Sequence, residues 1–420
     1  MDLLADLEAR GLVHDTTDRD ALRRRLADGP IGVYVGFDPT ADSLHVGHLF
    51  GQLMLRRFQL AGHRPFPLAG GATGMVGDPG GRSEERTLLD LATLRANTEA
   101  IRGQLASFLD FEPGSYQATL VNNADWTEPV GVLDFLRDVG KHITLNQMVA
   151  KESVRQRMAS ANGISYTEFS YMLLQAFDFQ WLYEHHGVEL QMGGSDQWGN
   201  ITTGIDLIRK TLSQTAYGMT WPLLLKADGG KFGKTADGSV WLDPAKTSPF
   251  QFRQFWFQTD DDRVEQYLKW FSFLGLDEIE ALVAAHQADP GGHRAQRVLA
   301  RELTTLVHGP HASATVESAA DVLFGGNPTQ ASDEAFATLA NEIPTTTVAA
   351  APSSLIELLV QTGLASSNGD ARRTIGAGGV YVNGVRGAEG PLEPERLVRN
   401  RFALVRKGKS NYHLVVIEAS

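Results

Sequence analysis

The chain has 420 residues, with 42% hydrophobic and 21% charged side chains, which is ordinary usage for a globular protein and excludes collagen-like, coiled-coil and wholly disordered chains. Its 38 Lys and Arg against 50 Asp and Glu give a net charge of −12, which argues against non-specific coating of nucleic acid because that mode needs many cations to neutralise phosphates. It contains no cysteine, so disulfides, thiolate nucleophiles and cysteine-held metal centres are excluded.

The N-terminal residues do not have the pattern of a leader sequence. The start is acidic at Asp2 and Asp6, whereas a secretory signal has a basic start and a longer apolar stretch. No segment reaches the ~18 uninterrupted apolar residues of a membrane helix. We therefore expect a cytoplasmic protein without a membrane partner.

Short apolar runs alternate with helical periodicities from residue 31 onward. The pattern predicts strands at 31–36, 64–68, 117–121 and 188–192, and helices at 44–60, 84–109, 167–185 and 200–212. This β-α-β alternation predicts an α/β fold for residues 1–247, with a Rossmann-like parallel sheet covered by helices. Ligands of such sheets bind at the carboxyl ends of the strands.

The pattern changes after residue 247. Residues 248–325 carry aromatic side chains at helical spacing, which predicts a helical domain. Residues 326–351 lose this periodicity and collect Pro, Thr, Ala and Asn, as linkers do. Residues 352–420 return to an amphipathic helix and short strands, which predicts a small α+β domain. That segment carries nine Lys and Arg against six Asp and Glu, so its net charge is +3 while the rest of the chain carries −15.

The stretch DPTADSLHVGH, from Asp38 to His48, lies between the first predicted strand and the helix that follows. Its Pro, Asp and Ser predict a turn and a helix N-cap, so that His45 and His48 share one face of the first helical turn. A helix N-terminus offers unpaired amide hydrogens to a phosphate, and Gly47 leaves room for a flat ring. Two surface histidines beside a cap, or a zinc pair without a clear third ligand, are the alternatives.

A second candidate site is the glycine-flanked loop KFGKT, in which Lys231 and Lys234 lie three residues apart. Two such lysines can close on polyphosphate charge and reopen. A single loop of this kind is typical of a solvated turn. The histidine motif upstream favours the phosphate-binding interpretation.

Two further stretches carry polar side chains in a binding pattern. Tyr171, Gln175 and Asp178 fall at i, i+4 and i+7 of a predicted helix whose other positions are apolar, so this stripe suits a pocket, although many such stripes are solvated faces. In the later turn GGSDQW, Asp196 can accept two ribose hydroxyls and Gln197 can reach a carboxylate. The glycine-rich stretch 70–81 lacks the spacing of a dinucleotide site.

These motifs resemble a known family. HVGH and KFGKT are similar to the two signatures of class I aminoacyl-tRNA synthetases, His-Ile-Gly-His and Lys-Met-Ser-Lys-Ser, and the second has the form found in bacterial tyrosyl-tRNA synthetases. The likeness also includes YVGFDPT, YMLLQAFD and GGSDQWGN. It implies a catalytic domain at 1–247 that binds tyrosine and ATP, and an alpha-L type RNA-binding domain at 352–420.

The resemblance also implies a role for each site residue. Those that bind tyrosine are Tyr34 and Asp178 at the hydroxyl, Asp78, Tyr171 and Gln175 at the ammonium group, and Gln191 and Gln197 in the same pocket. Those that bind ATP or the adenylate are Gly36, Asp38, His45, Gly47, His48, Gly194, Asp196 and Lys234. The catalytic set is Thr40 and His45 at the γ-phosphate, His48 near the ribose, and Lys231, Lys234 and Thr235 at the pyrophosphate. Arg82, where the family commonly has lysine, and Arg86 are candidates for pyrophosphate contact.

The implied activity is the ligation of tyrosine to its tRNA through a tyrosyl-adenylate, with ATP and magnesium, without a protein-held metal, and in a homodimer. The implied contacts to tRNA phosphates come from Arg372, Arg373, Arg386, Lys407 and Lys409. One alternative is the related tryptophan enzyme, against which Tyr34, Asp178 and the terminal RNA module argue. The other is an inactive RNA-binding relative, against which the intact motifs argue.

Overall fold

The computed structural model describes residues 2–78, 89–159, 163–224, 232–235 and 238–418, and of residues 152, 153, 156, 234, 235 and 394 it describes the backbone alone. The chain divides into two compact units. The first contains Met1–Thr247 and Gln258–Leu299, and the second contains Ser248–Phe257 and Ala300–Ser420.

Helices form much of both units. They are α1 (Leu3–Ala9), α2 (Arg19–Ala27), α3 (Val46–Leu60), α4 (Leu91–Ala106), α5 (Ala124–Thr127), α6 (Val132–Asp138), α7 (Leu145–Val149), α8 (Glu152–Ala159), α9 (Tyr166–His186), α10 (Trp198–Leu212), α11 (Pro249–Phe257), α12 (Val264–Phe271), α13 (Leu276–Ala288), α14 (Arg294–Leu323), α15 (Asp333–Glu342), α16 (Leu355–Gln361) and α17 (Asn368–Gly376). Helix α14 is broken at Gly309, where φ is 85°. Among the described residues, no helix combines the length and apolar character that a membrane crossing needs.

Within the described ranges, the strands form three sheets. They are β1 (Asp15–Thr16), β2 (Gly32–Phe37), β3 (Arg64–Ala69), β4 (Val121–Asn122), β5 (Val188–Gly194), β6 (Tyr217–Trp221), β7 (Lys234–Thr235), β8 (Gly238–Ser239), β9 (Thr345–Val348), β10 (Val380–Val382), β11 (Val385–Arg386), β12 (Phe402–Lys407) and β13 (Asn411–Ile417). The smallest sheet is the antiparallel pair of β7 and β8.

The first unit is built on a six-stranded sheet in the order β1-β6-β5-β2-β3-β4. Its neighbours are parallel except for β1 and β6. The chain runs from β2 through β3 to β4 and then places β5 on the other side of β2, so the strand order reverses between β2 and β5. Such a reversal opens a crevice at the carboxyl ends of the strands. The predicted α/β fold with a parallel sheet is confirmed.

Helix α9 crosses this unit and carries three of the predicted site residues. It begins at the N-cap Ser165, whose side chain accepts a hydrogen bond from the Glu168 backbone, and it ends at Gly187 in the left-handed conformation, with φ 63°. Phe179 and Leu182 of this helix are completely buried against the sheet core. The apolar side of α9 therefore fixes the orientation of its polar stripe.

The second unit contains the sheet β11-β10-β12-β13-β9, which is antiparallel except for the pair of β13 and β9. Alternate residues of β12 belong to different apolar clusters. Ala403 and Val405 pack with α16 and α17, whereas Phe402 and Leu404 pack with α14 and α15. Because neighbouring side chains of a strand point to opposite faces, helices cover both sides of this sheet.

The structure corrects the interpretation of residues 326–351 as a linker. This range contains α15 and β9, and β9 pairs with β13 in the sheet. Strand β9 has only four residues, and α15 has only two large apolar side chains, Phe336 and Leu339, so neither gives a clear periodic signal. The range 248–325 also does not form one separate unit, because residues 258–299 cluster with the first unit.

Other predicted boundaries also differ. The predicted helix at 84–109 begins at Leu91, after the N-cap Asp90, and its predicted start at 84–88 lies outside the described residues. Of the predicted strand at 117–121, only Val121 enters the sheet, paired with Leu68. Strands β6, β12 and β13 were not predicted.

Candidate active site

A cleft of about 690 Å³ opens at the carboxyl ends of β2 and β5, where the strand order reverses. Most of the predicted site residues line it. They are Tyr34, Gly36, Asp38, Thr40, His45, Gly47, His48, Asp78, Tyr171, Gln175, Asp178, Gln191, Gly194, Asp196 and Gln197. The fold therefore brings together side chains that are more than 100 residues apart in the chain.

Asp178 is a buried carboxylate with hydrogen bonds to both oxygens. Oδ1 accepts the indole N–H of Trp126 at 2.8 Å, and Oδ2 accepts the amide of Asn123 at 3.0 Å. Burial raises the pKa of Asp178 to about 7, and these two hydrogen bonds oppose the rise. Near neutral pH this group therefore exchanges between its charged and neutral forms.

The hydroxyl of Tyr34 is buried without a hydrogen-bond partner in the described part of the chain. Burial, and then the charge of Asp178, raise the pKa of Tyr34 well above its usual value, so the hydroxyl stays neutral. Gln191 of β5 pairs with Tyr34 of the neighbouring strand β2. Its Oε1 is likewise buried without a hydrogen-bond partner among the described residues. Buried polar atoms are normally satisfied, so these two indicate a polar ligand or water in the cleft.

Asp38 directly follows β2 and is held at both oxygens. Oδ1 accepts the hydroxyl of Thr73 at 2.8 Å, and Oδ2 accepts the hydroxyl of Tyr171 at 3.0 Å. The Thr73 oxygen also accepts the amide of Asn123 at 3.0 Å. Because Asn123 also holds Asp178, one continuous network fixes both carboxylates before any ligand binds.

Asp78 forms a third acidic position on the cleft wall. Its Oδ2 accepts the amide of Gln197 at 2.6 Å and that of Asn200 at 3.4 Å. Asn200 also donates to the Gln175 oxygen at 3.0 Å. The Gln197 oxygen accepts the same Asn200 amide at 3.1 Å. A carboxylate and the amide oxygens of Gln175 and Gln197 suit a small cation such as an ammonium group.

Lys151 contacts the Asn200 amide from the other side of that side chain's hydrogen bonds to Asp78 and Gln175. Its Nζ donates to Oδ1 of Asn200 at 3.2 Å. Burial lowers the pKa of Lys151 to about 7, and the charge of Asp78 opposes the decrease. The lysine thus supports the orientation of the Asn200 amide.

His45 and His48 stack at the N-terminus of α3, with ring centroids 4.0 Å apart. Nδ1 of His45 accepts the backbone N–H of Gly47 at 3.0 Å, and Nδ1 of His48 accepts that of His45 at 3.2 Å. In the neutral form of His48, this bond places the ring proton on Nε2. Burial, and then the charge of His45, lower the pKa of His48 to about 3, so His48 is a neutral donor at pH 7.

Backbone hydrogen bonds join the two signature motifs. Val46 N–H donates to Val240 O at 3.0 Å, and Val240 N–H donates to Gly233 O at 2.8 Å. Gly233 has φ 78°, and a Cβ atom there would lie 2.5 Å from Cγ2 of Val46. Only glycine fits this backbone position, which explains Gly in KFGKT.

Asp196 lies in the turn after β5. Burial, and then the charge of Asp78, raise the pKa of Asp196 above its usual value. The neighbouring Gly194 has no room for a side chain, because a Cβ atom would lie 2.7 Å from Oδ1 of Asp196. This turn presents a carboxylate and an open backbone to the cleft.

Several predicted residues cannot be placed in the cleft. Lys231, Arg82 and Arg86 lie outside the described residues, and of Lys234 and Thr235 the backbone alone is described, paired with β8. Within the described ranges, no group of three or more His, Asp and Glu side chains is arranged to hold a metal ion.

Five residues of this network are not predicted from the sequence: Thr73, Asn123, Trp126, Lys151 and Asn200. Asn123 and Trp126 follow the short strand β4, at the same edge of the sheet as Asp38. Polar residues directly after a predicted strand were the available signal for them. Lys151 gave no such signal, because it precedes a short helix.

The predicted RNA-binding residues lie in the second unit. Arg372 and Arg373 are exposed on α17, Arg386 is exposed on β11, and Lys409 is exposed in the turn between β12 and β13. Lys407 is half-buried and donates to Asp370 at 3.1 Å. Four of the five cations are therefore accessible, and the fifth takes part in an ion pair.

Comparison with known proteins agrees with this geometry. Residues 26–325 match the model of the class I tRNA synthetases (W and Y), and residues 335–415 match that of the tyrosine–tRNA ligase SYY-like C-terminal domain. The chain therefore belongs to the class I tRNA synthetases, in the family whose members carry this C-terminal domain.

Named relatives are similar over nearly the whole chain. A tyrosine–tRNA ligase of Opitutus terrae is 51% identical, covering 99% of this chain and 100% of the relative. One of Roseiflexus castenholzii is 49% identical, covering 98% and 99%. Among solved structures, a C-terminally truncated mitochondrial tyrosyl-tRNA synthetase of Aspergillus nidulans is 34% identical with a TM-score of 0.69, covering 75% of this chain and 92% of that one.

Proposed function

We propose that this chain ligates tyrosine to its tRNA and that the cleft of the first unit is the active site. The observation that carries the proposal is the pair of Tyr34 and Asp178. The Tyr34 hydroxyl is neutral and buried, and it has no hydrogen-bond partner among the described residues. It lies in the same cleft as the buried Asp178 carboxylate and the HVGH motif. This pair matches a ligand with a phenolic hydroxyl, as the names of the relatives would suggest.

The reaction has two steps. In the first, a carboxylate oxygen of tyrosine forms a bond to the α-phosphorus of ATP, and the bond from that phosphorus to the bridging oxygen breaks and releases pyrophosphate. In the second, a ribose hydroxyl of the terminal tRNA adenosine attacks the tyrosyl carbonyl and releases AMP and a proton. Neither step needs a protein nucleophile, so positioning and donors to the phosphates must supply the catalysis.

The tyrosine end of the cleft is assigned from its hydrogen bonds. We assign Tyr34 and Asp178 to the phenolic hydroxyl. We assign Asp78, Tyr171 and Gln175 to the ammonium group, because the Asp78 carboxylate and the Gln175 amide oxygen suit a cation. Gln191 and Gln197 complete this end of the pocket.

The ATP end is assigned to the N-terminus of α3 and the turn after β5. His45 and Thr40 are assigned to the γ-phosphate, and His48 donates from Nε2 toward the nucleotide. Asp196 accepts ribose hydroxyls beside the open backbone of Gly194, while Gly36, Asp38 and Gly47 line the adenylate position. We assign five residues to the pyrophosphate: Lys231, Lys234, Thr235, Arg82 and Arg86. Magnesium would be supplied together with ATP, as the counter-ion of its phosphates.

We assign tRNA binding to the second unit, through Arg372, Arg373, Arg386, Lys407 and Lys409. We also propose a cytoplasmic location and a homodimer. The dimer is supported by solvent-exposed apolar side chains between residues 132 and 145 of the first unit. Val132 is 75% exposed, Leu133 is 81% exposed and Leu145 is 66% exposed. Such exposure marks an interaction surface, and a monomeric mass in sedimentation would contradict the dimer.

The test is ATP–pyrophosphate exchange with the purified chain and each standard amino acid in turn. Tyrosine alone is expected to stimulate exchange strongly. Faster exchange with tryptophan would favour the related tryptophan enzyme, and no exchange with any amino acid would favour an inactive RNA-binding relative.

A further inference from the structure

The aromatic ring of Phe232, in the second signature motif, is held by helix α12. Its centroid lies 5.4 Å from the Tyr267 ring, in an edge contact at 76°, and 5.9 Å from the Phe271 ring, nearly parallel at 12°. Phe232 is only 9% exposed. We call Tyr267 and Phe271 the aromatic dock.

The aromatic dock is fixed to the helix that carries the first motif. Phe271 contacts Phe50 of α3, with ring centroids 5.6 Å apart. Arg57, also on α3, is buried and donates from Nη2 to the carbonyls of Trp270 at 3.4 Å and Ser272 at 2.5 Å, at the C-terminal end of α12. A cation at these carbonyls satisfies acceptors that a helix end leaves free.

Two connections therefore define the path of the second motif. Its backbone is joined to Val46 through Val240, and its first described side chain is seated on α12. Gly233, which follows Phe232, lies against Val46 with no space for a Cβ atom. A small displacement of the Phe232 ring would thus move the backbone that leads to Lys234.

We propose that Tyr267 and Phe271 are positioning residues for adenylate formation, acting through Phe232 on the second signature motif. They touch no reacting atom. They set where the described backbone of the motif runs along the first turn of α3, and so the position from which Lys234 extends. This inference rests on the proposed function of the cleft.

The direct test is Tyr267→Leu, because Tyr267 is half-buried and its loss leaves the core intact, whereas Phe271 is completely buried. The kcat of tyrosine-dependent ATP–pyrophosphate exchange is expected to fall roughly ten- to hundredfold, as for a small misplacement of reacting groups. The Kd for tyrosine and the melting temperature are expected to stay unchanged. Tyr267→Phe keeps the ring and should restore most of the kcat. Phe324→Leu, which removes a 61% exposed aromatic side chain of the second unit, serves as the aromatic control.

A double-mutant cycle separates positioning from general support. If Tyr267 acts through Phe232, the variant Phe232→Leu/Tyr267→Leu is no slower than Phe232→Leu alone. If the double variant instead shows the product of the two single losses in kcat, the proposed role of the aromatic dock is wrong. An unchanged kcat in Tyr267→Leu would also contradict it. A wild-type chain without tyrosine-dependent exchange would instead overturn the proposed function, so the two failures are distinguishable.

Discussion

Trp126 donates its indole N–H to Oδ1 of Asp178 across 2.8 Å, at the end of the cleft that also holds the Tyr34 hydroxyl. The carboxylate is buried, and burial raises its pKa to about 7. The indole stabilises the charged form, which is the better acceptor for a phenolic hydroxyl. Asn123 and Trp126 therefore both favour the charged form of the residue that we assign to tyrosine recognition.

Removing this donor should weaken tyrosine binding. In Trp126→Phe the pKa of Asp178 should rise further, and tyrosine affinity at pH 7.5 should fall by about tenfold, since a hydrogen bond to a charged group contributes about 1.5–3 kcal/mol. Calorimetric titration measures the affinity. Trp181→Phe is the control, because the Trp181 ring stacks on Trp126 at 4.3 Å. Equal affinities for both variants would contradict the role of the indole.

The pKa of Asp178 also predicts the pH dependence of binding and stability. The charged carboxylate binds the hydroxyl better, so tyrosine affinity should decrease as pH falls below about 7, by at most about tenfold per pH unit. Stability has the opposite sign: the native state holds a proton that the unfolded chain releases, so this contribution is full at acidic pH and is lost as pH rises through 7. Titrations of the wild type and Asp178→Asn test this, and an equally flat profile in both would contradict it.

Tyr34→Phe should separate binding from stability. The hydroxyl has no hydrogen-bond partner among the described residues, so its removal should leave the free energy of unfolding unchanged or slightly higher. Tyrosine should bind more weakly by about 0.5–1.5 kcal/mol, and discrimination against phenylalanine should fall. Urea denaturation and competitive exchange kinetics measure the two effects. A loss of stability with unchanged discrimination would mean that the hydroxyl serves the fold.

The ion pair between Arg157 and Glu168 should stabilise the first unit. The two side chains are 4% and 2% exposed and 2.6 Å apart, and they join α8 to α9. Glu168→Ala removes the buried carboxylate that accepts both terminal nitrogens of the Arg157 guanidinium, so the free energy of unfolding should fall by about 3–5 kcal/mol. Glu99→Ala, which breaks the exposed pair with Arg102, should cost no more than about 1 kcal/mol. Similar denaturation midpoints for the two variants would show that burial does not matter here.

A deletion variant can test whether the second unit binds tRNA, and the structure determines where the deletion should begin. Deleting residues 352–420 would take away β13 and leave its partner β9 unpaired, so the deletion should begin at Pro344. The shortened chain should keep tyrosine-dependent exchange, because the cleft residues belong to the first unit, and should lose the charging of tRNA. Both activities are measured on the same preparation, and retained charging would contradict the assignment of the second unit.

The sequence predicted the central elements of the fold because their periodicity is long. Helix α9 was predicted within one residue at each end, and β2 and β5 were predicted from apolar runs. Strand β9 was missed because Thr345–Val348 has four residues without an alternating pattern, and its pairing with β13 is a long-range contact. Local patterns carry no information on such pairing.

The sequence motifs account for many of the residues that line the cleft, such as His45, Tyr171 and Asp196. Asn123 and Trp126, which hold Asp178, belong to no motif, and they reach the cleft only because β4 ends beside β3. The requirement for glycine at Gly233 likewise depends on Val46, which is far away in the chain. These relationships come from tertiary packing, which periodicity and spacing do not encode.

The most direct test of tyrosine recognition is an experimental structure of the chain with L-tyrosine bound. The phenolic oxygen should lie about 2.6–3.2 Å from both the Tyr34 hydroxyl and an Asp178 oxygen, with the ammonium group at Asp78. A tyrosine that binds with its ring outside this cleft, or with its hydroxyl away from Tyr34 and Asp178, would contradict the account.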